Sequence, residues 1–279
     1  MPKLRCPVSG VRSISSQSVH QGIVGSIALP ADLYVSSSRL IKPEYSHSFS
    51  IGYTNYSIFE NNYSLSIDTY YKRMQNLLIF KLNYNSAKTV QNIEDQFLSG
   101  IGWASGIEIS LVKKYGALTG NISGSVAKSR RKFNDFNKGK WFDAKYDRIG
   151  DISTSINYSV NRRYSVNVNW VYTGGMKTTL SPGRYWILGS VMNDFEGVNN
   201  VRLPAYHRLD IGLNIRLNSK CFNESILNIA VMNLYNRKNP FFVNYGIEAP
   251  DDNPYLLRIF AKQVSLIPIL PSISWKFSF

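Results

Sequence analysis

Ile152-Ser153-Thr154-Ser155-Ile156-Asn157-Tyr158-Ser159-Val160 alternates large apolar and small polar residues almost without a break. Successive side chains of a strand point to opposite faces, so period two means one apolar and one polar face. The next run repeats the pattern. Tyr164, Val166, Val168, Trp170 and Tyr172 interleave with Ser165, Asn167 and Asn169. A third run sets Leu209, Ile211, Leu213, Ile215 and Leu217 against Asp210, Gly212, Asn214 and Arg216. Each run is about ten residues long, the length a tilted strand needs to cross a bilayer.

A soluble sandwich also alternates, so the connections must discriminate. Short turns are expected around Phe59–Asn62, at Tyr115-Gly116, at Asn161–Arg163, and between Leu217 and Ile226, where Asn218, Ser219 and Asn223 lie. Between these hairpins the connections are long, roughly Phe80–Gly102, Arg131–Arg148, Gly175–Ala205 and Asn236–Leu257. Such loops are rare in compact soluble domains. Short turns alternating with long loops are the pattern of an outer-membrane barrel, with the turns in the periplasm and the loops outside. The fold class is therefore all-β, an antiparallel transmembrane β-barrel portion. It has about ten strands, counting a weaker one before Pro30. Residues 1–40 alternate least and form a poorly defined segment with a possible first strand and outside loop. Residues 41–279 form the barrel portion.

The chain ends on Ile273, Trp275, Phe277 and Phe279, alternating with Ser272, Ser274, Lys276 and Ser278. A soluble edge strand with four bulky exposed residues invites aggregation. A terminal aromatic on an outward apolar row instead reads as an assembly signal for barrel-assembly machinery.

Composition narrows the classes. Among 279 residues the net charge is +14, which raises nucleic acid as a partner. The densest basic run, Lys128–Lys132, is short and flanked by Phe133 and Phe136, and no helix-turn-helix or zinc-finger spacing exists, so nucleic acid is not the expected partner. Anionic lipid head groups or an acidic ligand are alternatives for basic loops. Cys6 and Cys221 are far apart and lack metal spacing. No run of ~18 apolar residues suits a membrane-spanning helix. Met1–Gly10 has no apolar leader core, which leads us to expect a natural N-terminus upstream.

Several segments resemble the C-terminal half of a TonB-dependent outer-membrane receptor of the kind common in Bacteroidetes. They are Ile41-Lys42-Pro43-Glu44 before Phe49-Ser50-Ile51-Gly52-Tyr53, then Leu65-Ser66-Ile67-Asp68-Thr69-Tyr70-Tyr71, Gly106-Ile107-Glu108-Ile109 and Trp170-Val171-Tyr172-Thr173-Gly174-Gly175. The sharpest are Leu203-Pro204-Ala205-Tyr206-His207-Arg208-Leu209-Asp210 and Asn233-Leu234-Tyr235-Asn236-Arg237-Lys238-Asn239-Pro240. The resemblance covers about residues 25–279. It implies the cell outer membrane as location, outer-membrane lipid as surroundings, and energised uptake of a scarce ligand such as a siderophore, cobalamin or glycan. It also implies a barrel of about twenty-two strands, a plug, and a TonB complex reached only through that plug, which this chain lacks. Alternatives are a small self-closed pore or a non-functional truncated receptor.

An outer-membrane enzyme is the weakest reading. His207 and Asp210 stand at i and i+3 and point to opposite faces. No Gly-x-Ser-x-Gly elbow or paired-carboxylate motif appears, and no cofactor is implied. Ligand candidates are the outside-loop aromatics Trp141, Phe142, Tyr185 and Trp186; packing within the loops is the competing role. Around the last two motifs, Pro204 and Pro240 mark loops, Arg208 and Asp210 face the lumen, and Asn233–Asn236 shape the wall rather than bind ligand.

Overall fold

The computed structural model describes residues 3–5, 8–9, 17–20, 32–80, 93–179, 183–187, 190–194, 198–217, 223–248 and 258–278. Nine long strands form one antiparallel meander: β1 (Tyr45–Ile58), β2 (Tyr63–Phe80), β3 (Phe97–Lys113), β4 (Leu118–Phe133), β5 (Asp151–Ser159), β6 (Tyr164–Thr173), β7 (Tyr206–Arg216), β8 (Glu224–Met232) and β9 (Leu270–Ser278). Each is hydrogen-bonded to the next in chain order. Lys3–Arg5 and Val8–Ser9 pair with the free side of β1. Among the described residues β9 pairs only with β8, so the sheet is open. No described helix is long and apolar enough to cross a membrane.

Turn chemistry fixes the short ends. At β1–β2, Phe59, Glu60 and Asn61 all adopt left-handed φ, and the amide of Asn62 donates to the Phe59 carbonyl at 3.1 Å. At β5–β6 the Asn161 side chain accepts from the amides of Arg163 and Tyr164 at 2.8 and 2.9 Å, an Asx turn. Gly116, at φ +100°, closes β3–β4 where a Cβ would be strained.

The structure differs from expectation at the loops. β2 and β3 run on to Phe80 and from Phe97, so the connection is 81–96 rather than Phe80–Gly102. Gly100 and Gly102 read as loop residues, yet they lie in β3. Cβ atoms there would sit 2.4 Å from the Phe133 ring and 2.7 Å from Leu77. Close packing selects glycine, not a turn. The region Gly175–Ala205 holds two small hairpins, Lys177–Thr178 with Val201–Arg202 and Gly183–Ile187 with Ser190–Asp194. The β8–β9 connection carries Phe242–Glu248 paired with Arg258–Val264. The weak strand before Pro30 appears as Gln17–His20, paired with Asp32–Val35 outside the main sheet.

Candidate functional site: an apolar belt, a polar wall and a packed mouth

Cross-strand register carries the apolar rows from strand to strand. Tyr53, Ile67, Ile109, Gly124, Ile152, Tyr172 and His207 follow one another across β1–β7. Leu118, Tyr158, Val166, Leu213, Ile229 and Ile273 do so across β4–β9. Ile67, Ile109, Leu118, Ile152, Tyr158 and Ile273 on these rows are exposed, as are Ile107, Ile122 and Val126 on neighbouring rows of the same face. On β4 the apolar face runs from Leu118 to Val126, and on β2 from Tyr63 to Tyr71. That is roughly 25–30 Å along a strand, or about 20 Å along the normal of a membrane at ~45° tilt, close to a lipid-facing band. An exposed apolar surface this wide is incompatible with a monomer in water.

The turn end of the belt is rimmed by Tyr56, Phe59, Tyr115, Tyr158 and Tyr164, all exposed. Lys113 sits over the Tyr63 ring at 5.3 Å, Lys114 over Tyr56 at 5.5 Å and Arg163 over Tyr164 at 5.6 Å. Rings with cations beside them suit a membrane–water boundary.

The opposite face is polar. Ser110 and Ser123 share a hydrogen bond at 3.0 Å, and the Asn228 amide donates to Asn214 at 2.7 Å. Asp68, Glu108 and Asp151 line this wall, with Ser66 donating to Asp68 at 2.7 Å. Arg208 pairs with Asp210 at 2.9 Å, as their shared face predicts.

At the loop end of this wall an apolar cluster forms. Met74, Leu77 and Phe133 come from strands, Phe136 and Phe142 from the β4–β5 loop. A bulge at Asn76 brings Leu77 onto the same face as Met74, and Asn76 anchors by donating to the Pro43 carbonyl at 2.9 Å. Phe133 stacks on Phe142 at 6.0 Å and meets Phe136 edge-on at 6.2 Å.

Ion pairs strap the same loop from the apolar side. Buried Asp147 accepts from Lys128 at 3.0 Å, from Arg202 at 3.1 Å and from the Ser129 amide at 2.8 Å. Asp143 pairs with Lys128 at 2.8 Å and with Lys177. Burial alone would raise the Asp143 carboxyl. Hydrogen bonds from Lys128 and Lys177, and their charges, outweigh it and hold the carboxyl below its usual range.

A second anchor closes β8. Asn233, fully buried at φ +53°, donates to the carbonyls of Arg237 and Ile267 at 3.0 and 2.9 Å and accepts from the Arg237 amide at 3.0 Å. Its own amide donates to Asp210 at 2.9 Å. Nothing in the sequence pattern signalled this crosslink beyond the motif itself.

The sequence candidates fall as follows. Phe142 is buried in the cluster, a packing position, and Trp141 beside it accepts a hydrogen bond on its carbonyl from Arg130 at 3.3 Å. Tyr185 and Trp186 lie in the Gly183–Ile187 hairpin strand, and the structure describes only their backbone. Ile273, Trp275 and Phe277 share the apolar face of β9, with the Trp275 indole donating to Ser225 at 2.9 Å. Phe279 lies outside the described residues, as do Cys6 and Cys221. His207 stacks on Tyr172 and contacts the Tyr235 hydroxyl at 2.9 Å, away from Asp210. The mouth cluster and its ion-pair strap were missed. Phe133 and Phe136 flanking a basic run were the available signal.

A wall with a lipid-width apolar belt outside, hydrogen-bonded polar side chains inside, and turns and loops segregated to opposite ends defines a transmembrane β-barrel. The TonB dependent receptor-like, beta-barrel family matches residues 18–234. The chain belongs to that family, which resides in the outer membrane and comprises receptors rather than enzymes. No curated protein matches the chain. Among solved structures, it is similar to the ferric-catecholate import receptor Fiu from K12 E. coli (15% identity, TM-score 0.52, 84% of this chain and 28% of that one). The FpvAI–pyocin S2 complex gives 12% identity, TM-score 0.55, and coverage of 86% and 28%. The FrpB iron transporter from Neisseria meningitidis gives 14%, 0.52, and 87% and 32%. At these identities the likeness shows the fold alone. The chain spans about a third or less of those receptors.

Proposed function

We propose that this chain forms the C-terminal wall of an outer-membrane receptor that takes up a scarce ligand such as a siderophore, cobalamin or a glycan. The observation that carries the reading is a sheet left open among the described residues, whose two-faced register runs through nine strands with the longer connections at one end. An open edge in lipid leaves backbone groups unpaired at several kcal/mol each, so the wall needs further strands. That favours a larger receptor over a small self-closed pore. The ferric-catecholate and iron-transport names of similar structures make iron chelates the first class to try. In this reading the TonB complex acts through a plug domain. Trp141, Tyr185 and Trp186 are the ligand contacts of this reading, and Ile273, Trp275, Phe277 and Phe279 the row that engages barrel-assembly machinery.

Deleting the gene should abolish growth on one ligand class under limitation, with rescue that collapses when the proton gradient is discharged. Uptake unaffected by discharge would replace the receptor with a passive pore. Deleting Phe279 should lower outer-membrane levels sharply, whereas Trp186→Ala should leave assembly intact. Equal levels without Phe279 would remove the assembly role.

A further inference from the structure

Alternation fixes which face of a strand a residue occupies, but not which partner it meets. A slip of one residue moves every side chain to the wrong face, whereas a slip of two restores both the faces and the hydrogen-bond ladder. β8 and β9 are open to such a slip. Leu227, Ile229 and Val231 share the outward face of β8, and Ile273, Trp275 and Phe277 that of β9. A shift of two would set Ile273 against Leu227 or Val231 instead of Ile229, apolar against apolar in each case. Elsewhere a tight turn removes the choice, as the Asn161 turn does for β5–β6. β8 and β9 are joined by residues 233–269, a connection far too long to set register.

The segment 233–240, at the end of β8, reaches both neighbouring strands through side chains. Toward β9, the Asn233 side chain donates to the Ile267 carbonyl at 2.9 Å, and Asn236 accepts from the Ile269 amide at 2.9 Å, one residue before β9 begins. Toward β7, Asn239 accepts from the His207 amide at 3.0 Å and donates to the His207 carbonyl at 2.9 Å. The Asn233 backbone amide donates to the Asp210 carboxylate at 2.9 Å. None of these bonds survives a displacement of about 7 Å, the length of two strand residues. Asn233 and Asn236 stand at φ +53° and +50°, a region that asparagine enters more readily than most residues. Asn233 and Asn239 are buried, so a slip would leave their polar groups unpaired away from water. At the turn end a further register-specific contact is the Trp275 indole on Ser225 at 2.9 Å.

We propose that Asn233, Asn236 and Asn239 form a register clamp, which aligns the loop ends of β7, β8 and β9 and selects one of several face-preserving pairings for the last strand. Among the described residues β9 pairs only with β8, so the clamp also sets the height at which the other edge of β9 is presented. A slip of two would carry Trp275 and Phe277 about 7 Å along the wall and shift every backbone donor and acceptor of that edge by the same amount. The outward row Ile273, Trp275 and Phe277 owes its place to three asparagines at the opposite end of the wall.

The test uses the full-length protein in outer membranes, carrying Cys6→Ser and Cys221→Ser. Ile229→Cys with Ile273→Cys reports the native pairing by disulfide formation. Leu227→Cys or Val231→Cys with Ile273→Cys reports a slip of two in either direction. With the clamp intact, the native pair should dominate. Asn233→Gly with Asn236→Gly keeps both left-handed backbones while deleting the side chains. It should raise the ratio of slipped to native crosslink at least about tenfold, the effect of one to two net hydrogen bonds. Asn236→Gly alone, at an exposed residue, should raise it about threefold. Asn236→Asp, which keeps the acceptor, should not raise it, and Asn161→Ala in the β5–β6 turn should change nothing. An unchanged ratio in both glycine variants overturns the clamp, as does equal slippage in Asn236→Asp and Asn236→Gly. Loss of all crosslinks together overturns it too, because the asparagines would then hold the fold rather than the register. Crosslinking reads register without uptake, so its outcome is independent of the receptor reading.

Discussion

β1–β4 run 14, 18, 17 and 16 residues, whereas β5–β9 run 9, 10, 11, 9 and 9. Both halves carry the same apolar rows in register, so the membrane is not what distinguishes them. About nine to eleven residues suffice to cross it. The extra length of β1–β4 is wall standing above the lipid. Its inner side becomes a hydrophobic seat for a folded loop, through Met74, Leu77 and Phe133. Its outer side becomes basic. In β5–β9 the wall stops near the lipid boundary, and single crosslinks such as Asn233 organise the chain beyond it. One half builds outward with sheet, the other with loops pinned by side-chain amides.

The comparison breaks most easily at the seat. Phe133→Ala leaves a void beneath two rings and should cost about 3–5 kcal/mol of local stability. Hydrogen exchange should show the β4–β5 loop opening while residues 233–241 keep their protection. Loss of protection in both would mean that the halves are coupled.

The next largest effect tests what the halves share. Ile109→Arg in the long half and Ile211→Arg in the short half should each cost about 2–4 kcal/mol of stability in lipid, read by denaturant unfolding in bilayers. A clear difference between them would mean that the belt is not continuous.

Asn233→Ala sharpens the short half. It removes three side-chain hydrogen bonds at a buried position and should cost about 1–3 kcal/mol. Limited proteolysis should then cut between Arg237 and Ile267 faster, with the β4–β5 loop unchanged.

The smallest effect is a pH dependence confined to the long half. The Asp143 carboxyl lies below its ordinary value in the folded strap. Its contribution is therefore fully present above the ordinary carboxylate range, near pH 4, and is lost as pH falls through the lower folded value. Protease protection of residues 134–150 should hold from neutrality to about pH 4 and fall below it. The three side-chain hydrogen bonds of Asn233, made to backbone groups only, should not follow. Asp143→Asn should flatten the dependence.

Much of this was legible in the chain. Ile152–Val160 and Tyr164–Tyr172 gave strands, faces and a hairpin, because a strand's side-chain period depends on nothing beyond the strand. Turn positions at Phe59–Asn62 and Asn161–Arg163 followed from local backbone preferences. The family segments and the outward row Ile273, Trp275 and Phe277 could also be read directly. The excess length of β2 and β3 could not, because Gly100 and Gly102 look like loop breakers until Phe133 and Leu77 are brought over them. Nor could Phe142 be sorted between ligand contact and packing, since that depends on which strand lies beneath the loop. Local periodicity decides orientation residue by residue. Ion pairs such as Asp147 with Arg202, 55 positions apart, exist only once register has set every strand beside its neighbour, so the mouth, its strap and the basic outer rim belong to the tertiary structure alone.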